Sequence, residues 1–183
     1  MPKGCEEGII KGLYRLQKNS RKNNKKVVQL LGSGTILLEV LAAAELLKTE
    51  FSIDADVWSA TSFTELRREG MAVSRWNLLH PDEEQKLSYV EACLADSNGP
   101  IIAATDYMKT YADQIRPFVP RRYTVLGTDG FGRSDSRKRL RHFFEVDRYF
   151  ITVAALHALA KENVIESGVV TEAIKRFNID PDK

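Results

Sequence analysis

The residues of this 183-residue chain that are most suited to ligand chemistry lie in two glycine-rich turns. The first, Gly32–Thr35, follows an apolar run and precedes a helical pattern, as the phosphate-binding turn of a dinucleotide site does. That fingerprint requires a third glycine three residues after the second, and Leu37 occupies this position. A tight turn from strand to helix needs small residues in any case. The partial motif therefore favours a structural turn over a cofactor site.

The second turn leads into a segment rich in arginine. Free backbone N–H groups at a helix start, with Arg133 nearby, are suited to holding an anion. Asp129 and Asp135 already place negative charge there, which favours a buried structural loop whose arginines pair with acids on neighbouring domains. The candidate interface or anion loop, called the candidate loop below, comprises Gly127, Thr128, Asp129, Gly130, Phe131, Gly132, Arg133, Ser134, Asp135 and Arg137.

Other catalytic signals are weak along the chain. Its three histidines are not spaced as metal ligands with another histidine, cysteine or acid. Cys5 and Cys93 form no C-x-x-C pair and are interpreted as reduced thiols. No G-x-S-x-G, G-x-x-x-x-G-K-[ST] or H-E-x-x-H motif is present. We therefore assign no catalytic, cofactor-binding or metal-binding residue.

Composition narrows the class of protein. Hydrophobic residues make up 43% and charged residues 28%, which is enough apolar material for a core. The net charge of +2 argues against a nucleic-acid partner, which would require a strongly basic face. No apolar run approaches the roughly 20 residues that span a bilayer, and no signal peptide is recognisable, so we expect a cytoplasmic protein without a membrane partner.

The elements that position the two turns alternate between strand and helix. Residues 1–26 are predicted to be a lead-in arm, with a short strand or extended segment, followed by a basic linker; residues 27–183 form a single α/β domain. The predicted strands are Val27–Leu31, Ile53–Trp58, Pro100–Ala104 and Tyr123–Leu126. Connections too long for hairpins indicate an open, mainly parallel twisted sheet with helices on both faces.

Helix starts are predicted from capping signals. A capping box from Ser62 to Glu65 opens a short helix, and residues 70–80 are less regular. Pro81–Glu84 is typical of a helix start. Asp106 is a candidate N-cap for a helix through about Ile115. Further helices are expected over Ser134–Phe143 and twice more before the end of the chain.

Several long strings resemble the homodimeric, thiamine-diphosphate-dependent pyruvate dehydrogenase component of the transketolase-like superfamily. They cover nearly the whole chain in order, and their length makes the resemblance specific. They are Met1–Tyr14, Val28–Gly34, Thr61–Leu66, Arg75–Pro81, Thr105–Lys109, Val125–Arg137 and Leu140–Asp147.

The resemblance implies the carboxy-terminal domain of a three-domain enzyme. Its partners would be the other two domains, the second subunit of a homodimer, and the lipoyl-bearing acyltransferase of the complex. The parent enzyme would decarboxylate pyruvate with thiamine diphosphate and Mg²⁺ and acetylate the lipoyl group. The family's metal motif is Gly-Asp-Gly followed by asparagine, whereas Thr128–Gly130 only resembles its start and Val153–Ala160 holds no asparagine. This chain alone is thus expected to be inactive and to bind no cofactor.

One alternative and two further expectations remain. The alternative is a free-standing α/β module that binds a small anion or nucleotide through Gly32–Thr35 or Gly127–Ser134. We expect an exposed apolar patch at Ile9, Ile10, Leu13 and Tyr14, where neighbouring domains would pack. We also expect the candidate loop to be the point of contact with the rest of the enzyme or with a ligand.

Overall fold

In the computed structural model, residues 3–19 and 24–183 are described, and five strands form one sheet in the order β1-β3-β2-β4-β5. The strands are β1 (Leu13–Gln17), β2 (Val27–Gly32), β3 (Asp54–Ala60), β4 (Ile101–Ala104) and β5 (Tyr123–Leu126). The helices are α1 (Glu6–Lys11), α2 (Leu37–Phe51), α3 (Phe63–Leu79), α4 (Tyr89–Leu94), α5 (Lys109–Asp113), α6 (Arg137–Phe143), α7 (Arg148–Lys161) and α8 (Ser167–Arg176). Short 3₁₀ turns lie at Gly34–Ile36 and Arg116–Phe118.

Four of the strands are parallel, and β1 joins the edge antiparallel to β3. The register places Gly32 opposite Ala104 and Ala104 opposite Leu126, so three strands end side by side. From β2 the chain crosses to β3 on one side and later returns to β4 on the other. The edge between β2 and β4 is therefore a switch point, where loops of an open α/β sheet form a crevice. The predicted mainly parallel sheet is confirmed.

Alternating side chains of the buried strands divide the core into two layers. Val28, Leu30 and Ile102 face the layer of α2, α7 and α8. Leu31 and Ile101 face the opposite layer, which contains α3, α4 and α5. Because helices cover both faces, every residue of β2, β3 and β4 is buried, including the polar residues Asp54, Asp56 and Ser59 of β3.

Two predictions about the middle of the chain are wrong. The helix that Ser62 caps is not short, since α3 continues through the supposedly irregular residues to Leu79. No helix starts at Pro81–Glu84, because residues 81–87 are all exposed and bury no apolar face that would stabilise a helix. The next helix begins instead at Tyr89, behind a capping box formed by Ser88 and Glu91.

The predicted N-cap at Asp106 is also wrong. Helix α5 begins at Lys109 and has five residues. The Asp106 carboxylate is held elsewhere, because it accepts a hydrogen bond from Thr35 Oγ1 at 3.2 Å across the switch point. The segment before α5 is thereby tied to the turn after β2 rather than wound into a helix.

The lead-in arm contains α1 as well as the expected strand. Leu13 is fully buried and Ile9 and Tyr14 are half-buried, so the expected apolar patch is wrong for these three residues; Ile10 alone is 78% exposed. Other exposed apolar side chains lie in the middle and at the end of α3 and in the loop after it: Met71, Leu78, Leu79 and Leu87. Residues 20–23 of the basic linker lie outside the described residues.

None of the helices in the described ranges combines the length and hydrophobicity that crossing a bilayer requires.

Candidate functional site

The candidate loop begins with a tightly anchored base. Gly127 follows β5 and is buried, and a Cβ atom there would lie 2.8 Å from the backbone nitrogen of Lys109. Thr128 donates its backbone N–H to the carbonyl of Tyr107 at 2.8 Å. Glycine is therefore required at position 127 because the segment after β4 passes too close for a side chain.

Asp129 completes this anchor, and the residues after it are exposed. Its carboxylate accepts the backbone N–H of Lys109 at 3.0 Å, and the Lys109 ammonium lies 3.9 Å away. Beyond it, residues 130–136 are exposed, and the ring of Phe131 is 97% exposed. The candidate loop thus presents a large apolar ring to solvent on a fixed base.

The basic end of the candidate loop packs on α6. The Arg133 guanidinium lies over the Phe143 ring, 4.0 Å from its centroid. Helix α6 begins at Arg137 rather than at Ser134, because Ser136 caps it by accepting the N–H of Arg139. Asp135 accepts the N–H of Ser136 at 2.6 Å. These contacts hold Arg133 against its own domain, while Arg137 remains exposed.

A crevice of about 280 Å³ opens at the switch point between the two glycine-rich turns. The buried hydroxyls of Ser33 and Thr105 join β2 to β4 there by a 2.9 Å hydrogen bond. A Cβ atom on Gly32 would lie 2.9 Å from the Cα of Leu37, so close packing of α2 accounts for this glycine. The crevice is lined by one acid, Asp106, and by two arginines, Arg137 and Arg141. The geometry agrees with a structural turn at Gly32–Thr35.

Sequence reasoning missed a buried ionic cluster beside the crevice. Glu39 in the first turn of α2 is 6% exposed and accepts hydrogen bonds from the guanidinium groups of Arg141 at 2.8 Å and Arg148 at 2.9 Å. Burial alone raises the pKa of Glu39, but hydrogen bonds from Arg148 and the positive charges of both arginines hold that pKa below its ordinary value. The signal available in the sequence was an acid beside Val40 on the apolar stripe of a helix.

The residues that the structure describes do not fit a magnesium–diphosphate site. Asp129, the acid that resembles part of the family's metal motif, is already engaged with the amide and ammonium of Lys109. Over the ranges that the structure describes, no group of three histidine, cysteine or acidic side chains is placed to hold a metal ion. His142 pairs with Asp147 at 3.0 Å, and His80 stacks on Trp76. We derive no catalytic step from these groups.

Comparison with known proteins gives a consistent family. The family of transketolase-like TK C-terminal domains matches residues 12–147. The chain is 62% identical over 184 residues to the pyruvate dehydrogenase E1 component of Pseudomonas aeruginosa, and the alignment covers 100% of this chain and 21% of that protein. The E1 component of Escherichia coli K12 is 53% identical, with 100% and 20% covered. The chain thus spans about a fifth of the length of these curated relatives, in their carboxy-terminal region.

Solved structures give the same fold. Transketolase from Leishmania mexicana superposes with a TM-score of 0.54 at 15% identity, covering 85% of this chain and 19% of that one. Transketolase from Campylobacter jejuni superposes with a TM-score of 0.53 at 20% identity, covering 80% and 18%. At such identities the likeness concerns the fold alone.

Proposed function

The chain belongs to the family of transketolase-like C-terminal domains, and we propose that it is a non-catalytic packing domain of a pyruvate dehydrogenase E1 component. In this proposal the chemistry takes place on thiamine diphosphate and Mg²⁺ held by the other two domains of a cytoplasmic homodimer. The whole enzyme would decarboxylate pyruvate oxidatively and acetylate the lipoyl group of a partner acyltransferase. The domain described above would stabilise the arrangement of those other domains.

The observation that carries the proposal is the candidate loop. It leaves the carboxyl end of the sheet on a fixed base, and its tip exposes the whole ring of Phe131. Aromatic side chains are enriched in the cores of protein interfaces, so an exposed phenyl ring at the tip of an anchored loop supports a protein contact. Arg137 lies exposed close behind it, and arginine is the residue best suited to pair with a carboxylate across an interface. These features support a docking role toward the rest of the longer protein.

The test is the double substitution R133A/R137A in the full-length enzyme. We expect weaker packing of the dimer or of the domains, because truncating one partner of a desolvated charge pair costs about 2–5 kcal/mol. Turnover of pyruvate should fall as a consequence. Sedimentation equilibrium measures the dimer, and release of CO₂ from pyruvate measures turnover.

The matched control is K161A/K175A, which removes the same charge from exposed positions at the end of α7 and in α8, away from the candidate loop. It should leave dimer stability and turnover close to the unmodified enzyme. Full activity and unchanged stability in R133A/R137A would show that the candidate loop is an ordinary surface turn without a packing role.

A further inference from the structure

A second concave surface lies beside the candidate loop, between α6, the start of α7 and Lys183. It encloses about 950 Å³. Six basic side chains line it, and together they define the basic groove: Arg137, Lys138, Arg139, Arg141, Arg148 and Lys183. Two acids, Glu39 and Asp147, are the negative groups among its lining residues. The basic groove therefore concentrates positive charge in a chain whose net charge is only +2.

The carboxylates of both acids already bind groups of the protein itself. Glu39 is enclosed by the guanidinium groups of Arg141 and Arg148. Asp147 caps α7, where one carboxylate oxygen accepts the N–H groups of Tyr149 and Phe150 and the other contacts His142. Neither carboxylate lies against Lys138 or Arg139 of α6. Asp135, just before the helix, lies 3.9 Å from the Arg139 guanidinium, and a pair this exposed offsets little of the positive charge there.

The floor of the basic groove is organised before any ligand arrives. Glu39 accepts from Nη1 of Arg141 and from Nε and Nη2 of Arg148. Each guanidinium has five N–H donors, so the pair offers more donors than one carboxylate can accept. Because Glu39 holds both planes in place, a ligand that binds them does not have to order two flexible side chains. Planar guanidinium groups in a fixed position match the geometry of phosphate oxygens.

We propose that the basic groove binds a small molecule carrying several phosphate groups. The arginine floor supplies the fixed donors, and Lys138 and Arg139 supply positive charge at the rim. Lys183 adds an ammonium group that already donates one hydrogen bond to the carbonyl of Phe143 at 2.8 Å. The enclosed volume falls in the range of roughly 300–1,000 Å³ found for small-molecule sites. This shape favours a compact polyanion over an acidic protein surface, which would need a flatter and wider contact. The inference goes beyond the packing role proposed above and does not depend on it.

The test measures binding of inorganic tripolyphosphate, without magnesium, to the 183-residue chain by calorimetry. The variant K138A/R139A removes two rim charges that lie outside the buried ionic cluster, so the fold is preserved. We expect it to weaken binding about tenfold or more, as for loss of hydrogen bonds to a charged group. The control R67A/R75A removes equal charge from α3 and should change affinity less than about twofold. Backbone amide shifts in an NMR titration should move in α6 and at the start of α7.

Three results would overturn the proposal. No binding of tripolyphosphate by the unmodified chain would refute it directly. Equal weakening in K138A/R139A and R67A/R75A would show diffuse attraction rather than a site. Tighter binding of a glutamate-rich peptide of matched charge would assign the basic groove to a protein segment instead. Neither variant touches Arg133 or Arg137, and no turnover is measured, so this result is separate from the test of the packing role.

Discussion

Replacing Glu39 with glutamine tests whether the buried ionic cluster holds α6 and α7 against α2. Glutamine keeps the size of the side chain, but it removes the charge and offers its own N–H groups toward two guanidinium ions. Removing one partner of a fully buried pair costs about 3–5 kcal/mol. The side chains of Arg141 and Arg148 are 19% and 43% exposed, so water can partly solvate them. We therefore expect a loss of about 2 kcal/mol in the free energy of unfolding, below that range.

Urea unfolding followed by far-UV circular dichroism measures this change. For a domain of this size, a loss of about 2 kcal/mol lowers the melting temperature by about 4–8 °C. The control is Glu45→Gln on the same helix, an exposed position where a change below about 0.5 kcal/mol is expected. If Glu39→Gln and Glu45→Gln unfold at the same urea concentration, the ionic cluster contributes nothing and the reasoning is wrong.

Two further predictions concern acid pH and the base of the candidate loop. The folded state lowers the pKa of Glu39 from its ordinary value near 4.5. The extra unfolding free energy of the unmodified chain over Glu39→Gln should therefore be complete above that pH and shrink as the pH falls through the folded pKa. Urea unfolding at several acid pH values measures this difference, and a difference independent of pH would contradict the prediction. Gly127→Ala should cost about 1–3 kcal/mol of unfolding free energy, because its Cβ would press on the Lys109 backbone. Gly132→Ala is the control, since no atom lies within 4 Å of a Cβ there; equal stability of the two variants would contradict the close approach.

The parallel strands could be predicted because each is a short apolar run that ends in a turn. Buried strands of a sheet covered on both faces carry this signal in their own residues. The carboxyl half of α3 could not be predicted, because tertiary packing maintains it. Gly70 lies there against the ring of Phe118, at a distance where even a methyl group would collide. No local pattern in residues 70–79 records that contact.

The position of the candidate loop followed from the glycines and from the resemblance, but its internal contacts did not. Glu39 meets Arg141 and Arg148 across 102 and 109 residues of chain. Such a pairing depends on where α6 and α7 pack, which helical periodicity leaves open. The loop that was predicted to be buried is exposed over residues 130–136, and the arginines of this region divide into two groups. Arg141 pairs within its own domain and Arg133 stacks on Phe143, whereas Arg137 remains exposed.

The most direct test of the central claim is calorimetry of the 183-residue chain with thiamine diphosphate and Mg²⁺. A packing domain whose acids do not fit a magnesium–diphosphate site should show no binding at micromolar affinity. The K138A/R139A variant, measured in parallel, distinguishes weak binding of the diphosphate in the basic groove from binding at a cofactor site. We expect no cofactor site in either protein. Micromolar binding that persists in K138A/R139A would contradict it and make this domain a participant in the chemistry.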